Sequence, residues 1–337
     1  MQFARRARLK VAYNNKDITA DLERYLLSFS YTDHASGKAD DLQISLEDKA
    51  RLWKSDWMPE KGATLQASIQ VQNWDWAGQF EMLPLGTFEM DEIECTGPPE
   101  TVTIKAVSVP ESTSLRGEDK TRAWEKTTLY LIARDIAAEA GLGLLYETTD
   151  NPQYDRVEQT EQSDLAFLLK LCEDAGLSLK VTGQQIVIFD DSKYEQMEPV
   201  MTIIRGTSSV ISYSASSQTR EIYSAAQVKY QGRRGKVYVY TYTPPNRPPT
   251  GKTLVINERV DSLAEAERLA RNRLRQKNKE ETKFSLTMMG NINLVAGVTV
   301  LIQGWGKFDG KYFVEEATHS GPGYTTKVEL RRVLEGY

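Results

Sequence analysis

The chain has little of what most catalytic centres are built from. Its 337 residues include two histidines, His34 and His319, and two cysteines, Cys95 and Cys172. These lie too far apart in sequence for a zinc site of usual ligand spacing, and no Gly-x-Ser-x-Gly segment supplies a nucleophile elbow. Apolar runs of the roughly 18 residues that a membrane helix needs are lacking. The opening MQFARRARLKVAY is basic with no apolar stretch behind it, so neither a signal peptide nor a membrane span is read. An excess of positive charge is lacking too. With 42 Lys and Arg against 47 Asp and Glu, the net charge of −5 speaks against a dedicated nucleic-acid binder. The two cysteines, one in a strand-like stretch and one on a helical stripe, read as reduced core residues rather than a disulfide.

What is present reads as a folded, β-rich chain. Hydrophobic residues make up 40% and charged residues 26%, a globular balance, and the length suits two or three domains. Sixteen tyrosines, many beside Val, Thr or Ile, favour strands. From Leu9 to about Pro110, short alternating runs follow one another: Leu9, Val11 and Tyr13 before an Asn14-Asn15 turn, then Leu42, Ile44 and Leu46, then Leu65 to Val71, Phe88 to Ile93, and Val102 to Ala106. That spacing predicts a barrel or sandwich over 1–112.

Between 113 and 198 the pattern changes. An Ala-Gly-Leu-x-Leu core occurs at 140–144 and again at 175–179, each time after a one-sided helix and before a strand. In the first copy Thr127 or Thr128 is the cap and Leu129, Ile132, Ala133, Ile136, Ala137 and Ala140 form the stripe. In the second, Ser163 is the cap and Leu165, Leu168, Leu169, Cys172 and Ala175 form it. Gly141 and Gly176 end the helices. The strands Leu142–Tyr146 and Leu177–Val181, the latter turning at Gly183 into Ile186 and Ile188, offer a sheet to dock on. Beyond 199 alternation resumes over 199–337, broken by the exposed PPNRPPTGK loop and by a helix at 262–279. Ser262 with Glu265 forms its capping box, and Leu263, Ala266, Leu269, Ala270 and Leu274 its buried edge.

Candidate chemistry is weak when weighed residue by residue. GKT at 251–253 lacks the first glycine of a phosphate loop, and GWGKFDG at 304–310 lies between two strands and reads as a hairpin turn. His319 beside Ser320 reads as a hydrogen-bonded structural histidine. The acidic pairs Asp40/Asp41, Glu92/Glu94 and Glu315/Glu316 leave a glycosidase dyad open, and Trp74 and Trp76, spaced to share one strand face, leave a sugar-stacking or protein contact open.

Six strings occur in an order that resembles the phage late control protein D family: KADDLQISLEDKARLW, PEKGATLQASI, LGTFEMDEIECTGPPETVTIKAVS, SDLAFLLKLCEDAGLSL, SLAEAERLARNRLRQ and FDGKYFVEEATHSGPGYTTKVELRR. The likeness runs from about Leu9 to Val333 and is similar to the hub half of type VI secretion spikes. It implies an α+β, mostly β fold with two tube-like antiparallel β-barrels, 1–112 and 199–337, flanking the α/β module. It implies a structural baseplate hub of a contractile tail: a homotrimeric ring of pseudo-sixfold symmetry, made in the host bacterial cytoplasm. That ring would meet a tail tube protein or tube initiator on one face and, since the sequence stops at Tyr337, a separate spike protein on the other, beside other baseplate proteins. No catalytic, metal or cofactor residue carries over, and no cofactor, membrane or sequence-specific nucleic acid is expected. Asp40, Asp41, Leu42 and Trp53 are the expected inter-barrel or tube-facing residues. Asp309, Gly310 and Tyr312 are the expected turn and packing residues of the second barrel. A β-rich cell-wall hydrolase and a carbohydrate-binding module are the competing readings.

Overall fold

The computed structural model describes residues 4–337 except 61, 110–114, 183, 232–236, 247, 259 and 261. The expected turn at Gly183 and the boundary at 112/113 lie outside the described residues.

The first curled unit comprises β1 (Arg6–Tyr13), β2 (Lys16–Asp17), α1 (Thr19–Glu23), β3 (Leu26–His34), β4 (Asp41–Glu47), β5 (Thr64–Gln72), β6 (Phe80–Thr96) and β7 (Thr101–Val107). Asn14 and Asn15 hold φ of 45° and 66°, the primed-turn conformation that lets β1 fold back on β2. The period-2 residues read from the sequence point inward: Leu42, Ile44, Leu46, Leu65, Ile69, Val71, Phe88, Met90, Val102 and Ala106 form one buried core.

The middle module comprises β8 (Lys120–Thr128), α2 (Leu129–Glu139), β9 (Gly143–Glu147), β10 (Gln153–Gln162), α3 (Asp164–Ala175), β11 (Ser178–Val181), β12 (Gln185–Phe189) and α4 (Asp191–Gln196). Thr128 and Ser163 cap α2 and α3 through their hydroxyls. Both helices pack on the small sheet β11-β12-β9, in which β12 runs parallel to β9. Gly176 holds φ of +73°, and a Cβ there would meet the Asn272 side chain at 2.4 Å. Asn272 Nδ2 in turn donates to the Ala175 carbonyl at 2.7 Å. Glycine is therefore demanded twice, by the helix end and by a close neighbour.

The remainder comprises β13 (Met201–Ile204), β14 (Val210–Ser217), β15 (Ala225–Gln231), β16 (Val237–Tyr242), β17 (Thr253–Ile256), α5 (Leu263–Asn278), β18 (Thr282–Met289), β19 (Thr299–Gln303), β20 (Gly310–Gly321) and β21 (Thr325–Arg332). β15–β17 and α5 form a separate layer with its own core. It leaves and rejoins the main sheet at one rung, because Ser217 lies opposite Thr282.

The chain is mostly β as expected, but the barrels are not closed. One 13-stranded sheet runs β14-β18-β21-β20-β3-β4-β7-β6-β5-β1-β2, with β19 on β20 and β13 on β19. The physical reason is that β3, which ends the first unit, pairs with β20 of the second instead of returning to β1. Pairing within 6–107 and 199–337 is antiparallel except that β13 runs parallel to β19 and β17 parallel to β15.

The two units repeat one strand order, although β13 runs parallel to β19 where β1 runs antiparallel to β5. The first has the order β1-β5-β6-β7-β4-β3 and the second β13-β19-β20-β21-β18-β14, which is the same order by chain position. Irregularities repeat as well. The β3·β4 register shifts between Leu26 and Ser28 and the β14·β18 register between Val210 and Ser212; β6·β7 shifts at Met90/Glu92 and β20·β21 at Val314/Glu316. Both long hairpins turn through a cis Gly-Pro bond, Gly97-Pro98 and Gly321-Pro322.

Candidate assembly interfaces

Three junctions fix how the parts sit together. The first is the β3·β20 seam, where Glu316 to Gly321 run antiparallel to His34 to Phe29. His319 is fully buried beneath it. Its Nε2 lies 3.0 Å from the Leu294 carbonyl, which can only accept, so Nε2 carries the proton and Nδ1 accepts from the Tyr324 hydroxyl at 2.8 Å. Burial pulls the imidazole down to about 4 from the ordinary 6.5, so it is neutral at neutral pH. Trp74 of the first unit donates from Nε1 to the Gly290 carbonyl of the second at 2.6 Å. Close packing leaves no room for side chains here: a Cβ on Gly321 would meet Phe29 at 2.4 Å, and one on Gly290 would meet Tyr324 at 2.1 Å.

The second junction ties the module to the seam. Lys180 of β11 reaches Asp33, the Asp40 carboxylate at 3.2 Å and the His34 carbonyl at 2.9 Å. Asp40 also accepts from the His34 amide at 2.9 Å. Burial pushes its carboxyl up to about 6 although Lys180 opposes this.

The third is a buried ionic cluster where α4, α5 and β21 meet. Asp191 accepts from Arg275 at 2.9 Å, Arg331 at 2.9 Å and Lys279 at 2.5 Å. Glu195 binds Arg275 at 2.8 Å and also pairs with Arg331, which reaches Glu315 at 3.3 Å. Arg331 lies 4.5 Å over the Phe313 ring and is 1% exposed. Burial alone would raise the Asp191 carboxyl, but Lys279, Arg331 and Arg275 hold it well below the usual range.

The sequence-predicted residues divide among these places. Asp40 belongs to the module junction, and half-buried Asp41 lies 3.8 Å from the His34 imidazole. Leu42 and Trp53 are buried in the first core, where Trp53 meets Trp57 edge-on. Asp309 accepts from the Trp305 amide at 2.6 Å within the turn before β20, Gly310 sits there at φ +145°, and Tyr312 is fully buried in the second core. GWGKFDG links antiparallel β19 and β20, as a hairpin turn does.

Trp74 and Trp76 do not share a strand face. They sit in the turn between β5 and β6, with Trp74 buried and Trp76 59% exposed. Cys95 is exposed on β6 rather than in a core, while Cys172 is buried; both are free. Leu263, the first residue of α5, is exposed rather than part of its buried edge. On α3 Phe167 and Leu171 are buried as well as Leu168, Cys172 and Ala175, with Leu165 and Leu169 turned toward Gly37 and Ala39 of the first unit.

The family model for the phage tail baseplate hub (GPD) matches residues 90–323, which spans the seam, the module and the ionic cluster. The chain belongs to this baseplate hub family. It is thus a structural component of phage tails by family. The probable baseplate hub protein of Escherichia phage P2 is 31% identical over 172 residues, which cover 50% of this chain and 41% of that relative. The probable hub protein of Escherichia phage 186 is 27% identical over 175 residues, covering 52% and 42%. The matched stretch thus spans less than half the length of these curated relatives. Among solved structures, the tail protein from Neisseria meningitidis MC58 aligns over 97% of this chain and 96% of its own at 14% identity, with a TM-score of 0.71. A 43 kDa tail protein of prophage MuSo2 from Shewanella oneidensis aligns over 97% and 98% at 13% identity, with a TM-score of 0.73. At such identities the hub fold is what these two share with the chain.

Asp191, Glu195, Arg275, Lys279 and Arg331 were not singled out as a group by sequence reasoning. Each is ordinary in its local window, and only the fold brings them together. The repeat of the two units did leave a signal: TGPPETVTI at 96–104 and SGPGYTTKV at 320–328 are the same hairpin read twice.

Proposed function

We propose that three copies of this chain form a ring of pseudo-sixfold symmetry that joins a tail tube to a central spike. The observation that carries it is the repeated strand order of the two units, set side by side through the β3·β20 seam. Heterologous contacts that return on themselves close a ring, and three chains with two like units each present six like positions. Such a ring meets a sixfold tube on one face and a threefold spike on the other. The middle module, held to the seam by Lys180, is the spacer that offers contacts to other baseplate proteins. The units 1–112 and 199–337 are the ring-forming parts, and the particle is made in the host bacterial cytoplasm.

The role is structural rather than catalytic. Asp40 is paired with Lys180 and Glu315 with Arg331 and Lys283 at junctions of the fold, and Glu92 and Glu94 lie on the surface beside Lys105. Incubation with peptidoglycan is expected to release no sugar or peptide, and release abolished by Glu92→Gln or Glu315→Gln would favour a hydrolase. Counting subunits in imaged tail particles tests the ring itself: three copies per baseplate are expected, and one or six copies would overturn it.

A further inference from the structure

The repeat of the two units carries more than their likeness, because it places residues in one-to-one correspondence. Ile44 opposes Ile104 in the first unit as Leu286 opposes Val328 in the second. Phe29 opposes Ile44 as Tyr213 opposes Leu286. Ile93 opposes Ile104 as Ala317 opposes Val328. Tyr213 therefore takes the place of Phe29, and Ile93 that of Ala317.

Within one chain, the first unit gives its end strand β3 to β20, with Asp33 opposite Ala317, Tyr31 opposite His319 and Phe29 opposite Gly321. The corresponding end strand of the second unit, β14, pairs only with β18 among the described residues; Tyr213 and Ala215 pack on the second core from its inner face, yet most of its residues are exposed. Ile211 is 63% and Tyr213 46% exposed. The corresponding stretch of β6, Glu92 to Thr96, pairs with β7 on one side, while β5 reaches along the other side only as far as Glu89. Each chain thus carries one used seam and the two separated halves of a second. Long unpaired edges of this kind are templates for another strand.

We propose that β14 of one chain pairs antiparallel with Glu92–Gly97 of a second copy, in the register of the internal seam: Tyr213 opposite Gly97, Ala215 opposite Cys95 and Ser217 opposite Ile93. The inference rests on the ring proposed above and names its contact. Side-chain chemistry fits the register. In the internal seam, Phe29, Tyr31, His319 and Gly321 line the buried face. Their counterparts Tyr213, Ala215, Cys95 and Gly97 are apolar or small. The other face carries Ser214, Ser216 and Gln218 against Thr96, Glu94 and Glu92, all able to stay wet. The exposed thiol at Cys95 becomes a covered one.

Cα atoms of directly opposed antiparallel residues lie about 4.5–5.5 Å apart, within the span a disulfide bridges. Tail particles assembled with Ala215→Cys and oxidised mildly should therefore yield covalent dimers and trimers of this chain on non-reducing gels. Ser214→Cys, facing the other side of the strand, and Ala215→Cys with Cys95→Ser should yield none. Three copies per particle without a cross-link from Ala215→Cys, or with equal cross-linking from Ser214→Cys, would overturn this register while leaving the ring standing. One or six copies per particle would overturn the ring and the pairing together.

Discussion

Replacing Asp191 by asparagine should cost the fold about 3–5 kcal/mol, the range for removing one partner of a buried ion pair. The exchange keeps shape and removes one negative charge that Arg275, Lys279 and Arg331 share at 2.9, 2.5 and 2.9 Å. Glu195 and half-buried Glu315 then remain against three cations. One unit-charge contact at about 4 Å is worth roughly 4 kcal/mol at an effective dielectric near 20. The amide oxygen retains the hydrogen bonds of one side only, worth about 1 kcal/mol each, because the NH2 that replaces the other oxygen cannot accept from a cation, which leaves a net loss in the stated range. Urea unfolding followed by far-UV circular dichroism measures it through the midpoint at constant slope. Asp191→Asn combined with Lys279→Met should recover part of the loss by restoring neutrality. Because the Asp191 carboxyl is held below its ordinary 3.8, its contribution is complete above about pH 4 and drains away on acidification, so the variant gap should narrow at low pH. A loss under about 1 kcal/mol, or a gap abolished by molar salt, would show that the cluster is solvated and refute the reasoning.

Other perturbations probe the remaining junctions. Gly321→Ala forces a methyl against Phe29 at the seam and should lower stability by about 1–3 kcal/mol; an unchanged melting temperature would mean the seam is loose. Leu168→Ala opens a cavity under a fully buried position and should cost about 2–5 kcal/mol by the same urea assay, with no change contradicting its place in the module core. His319, with its folded value lowered to about 4, binds its proton more readily when unfolded. Stability should therefore fall as pH drops from 6.5 toward 4, by about 3 kcal/mol at most, and His319→Gln should flatten that slope in a pH series of unfolding curves. Asp40, raised to about 6, acts oppositely over about pH 4 to 6, so Asp40→Asn should steepen the decline.

Much of the fold was legible because burial imposes a period. The alternating residues of β4, β5 and β7, the stop at Gly141 and Gly176, and the Ser262 cap all stand where local chemistry put them. The β8·β10 ribbon was not legible, because its core-facing side mixes Trp124, Tyr154 and Val157 with Lys120, Arg122 and Gln159, too few apolar residues to show a period. The stripe on α3 was only partly read, since Leu165 and Leu169 serve the junction with Gly37 while Phe167 serves the module core. Trp74 misled because a tryptophan in a turn can be drawn inward by one distant acceptor, the Gly290 carbonyl. The pairs made by Asp191 and Glu195 and the Lys180 junction depend on partners 80 or more positions away, which no window of sequence displays.

That the layer of β15–β17 and α5 departs and returns at the Ser217–Thr282 rung makes it a graft in topological terms: a tight turn in its place would leave the order of the 13 strands untouched. It is a graft with a condition attached. Arg275 and Lys279 travel with it, so any replacement must either deliver two cations to Asp191 and Glu195 or dispense with those acids. Variation in this appendage is thereby steered to its outer side, where Val237, Val239 and Leu263 lie open, while the inner side of its helix is bound to the rest of the molecule.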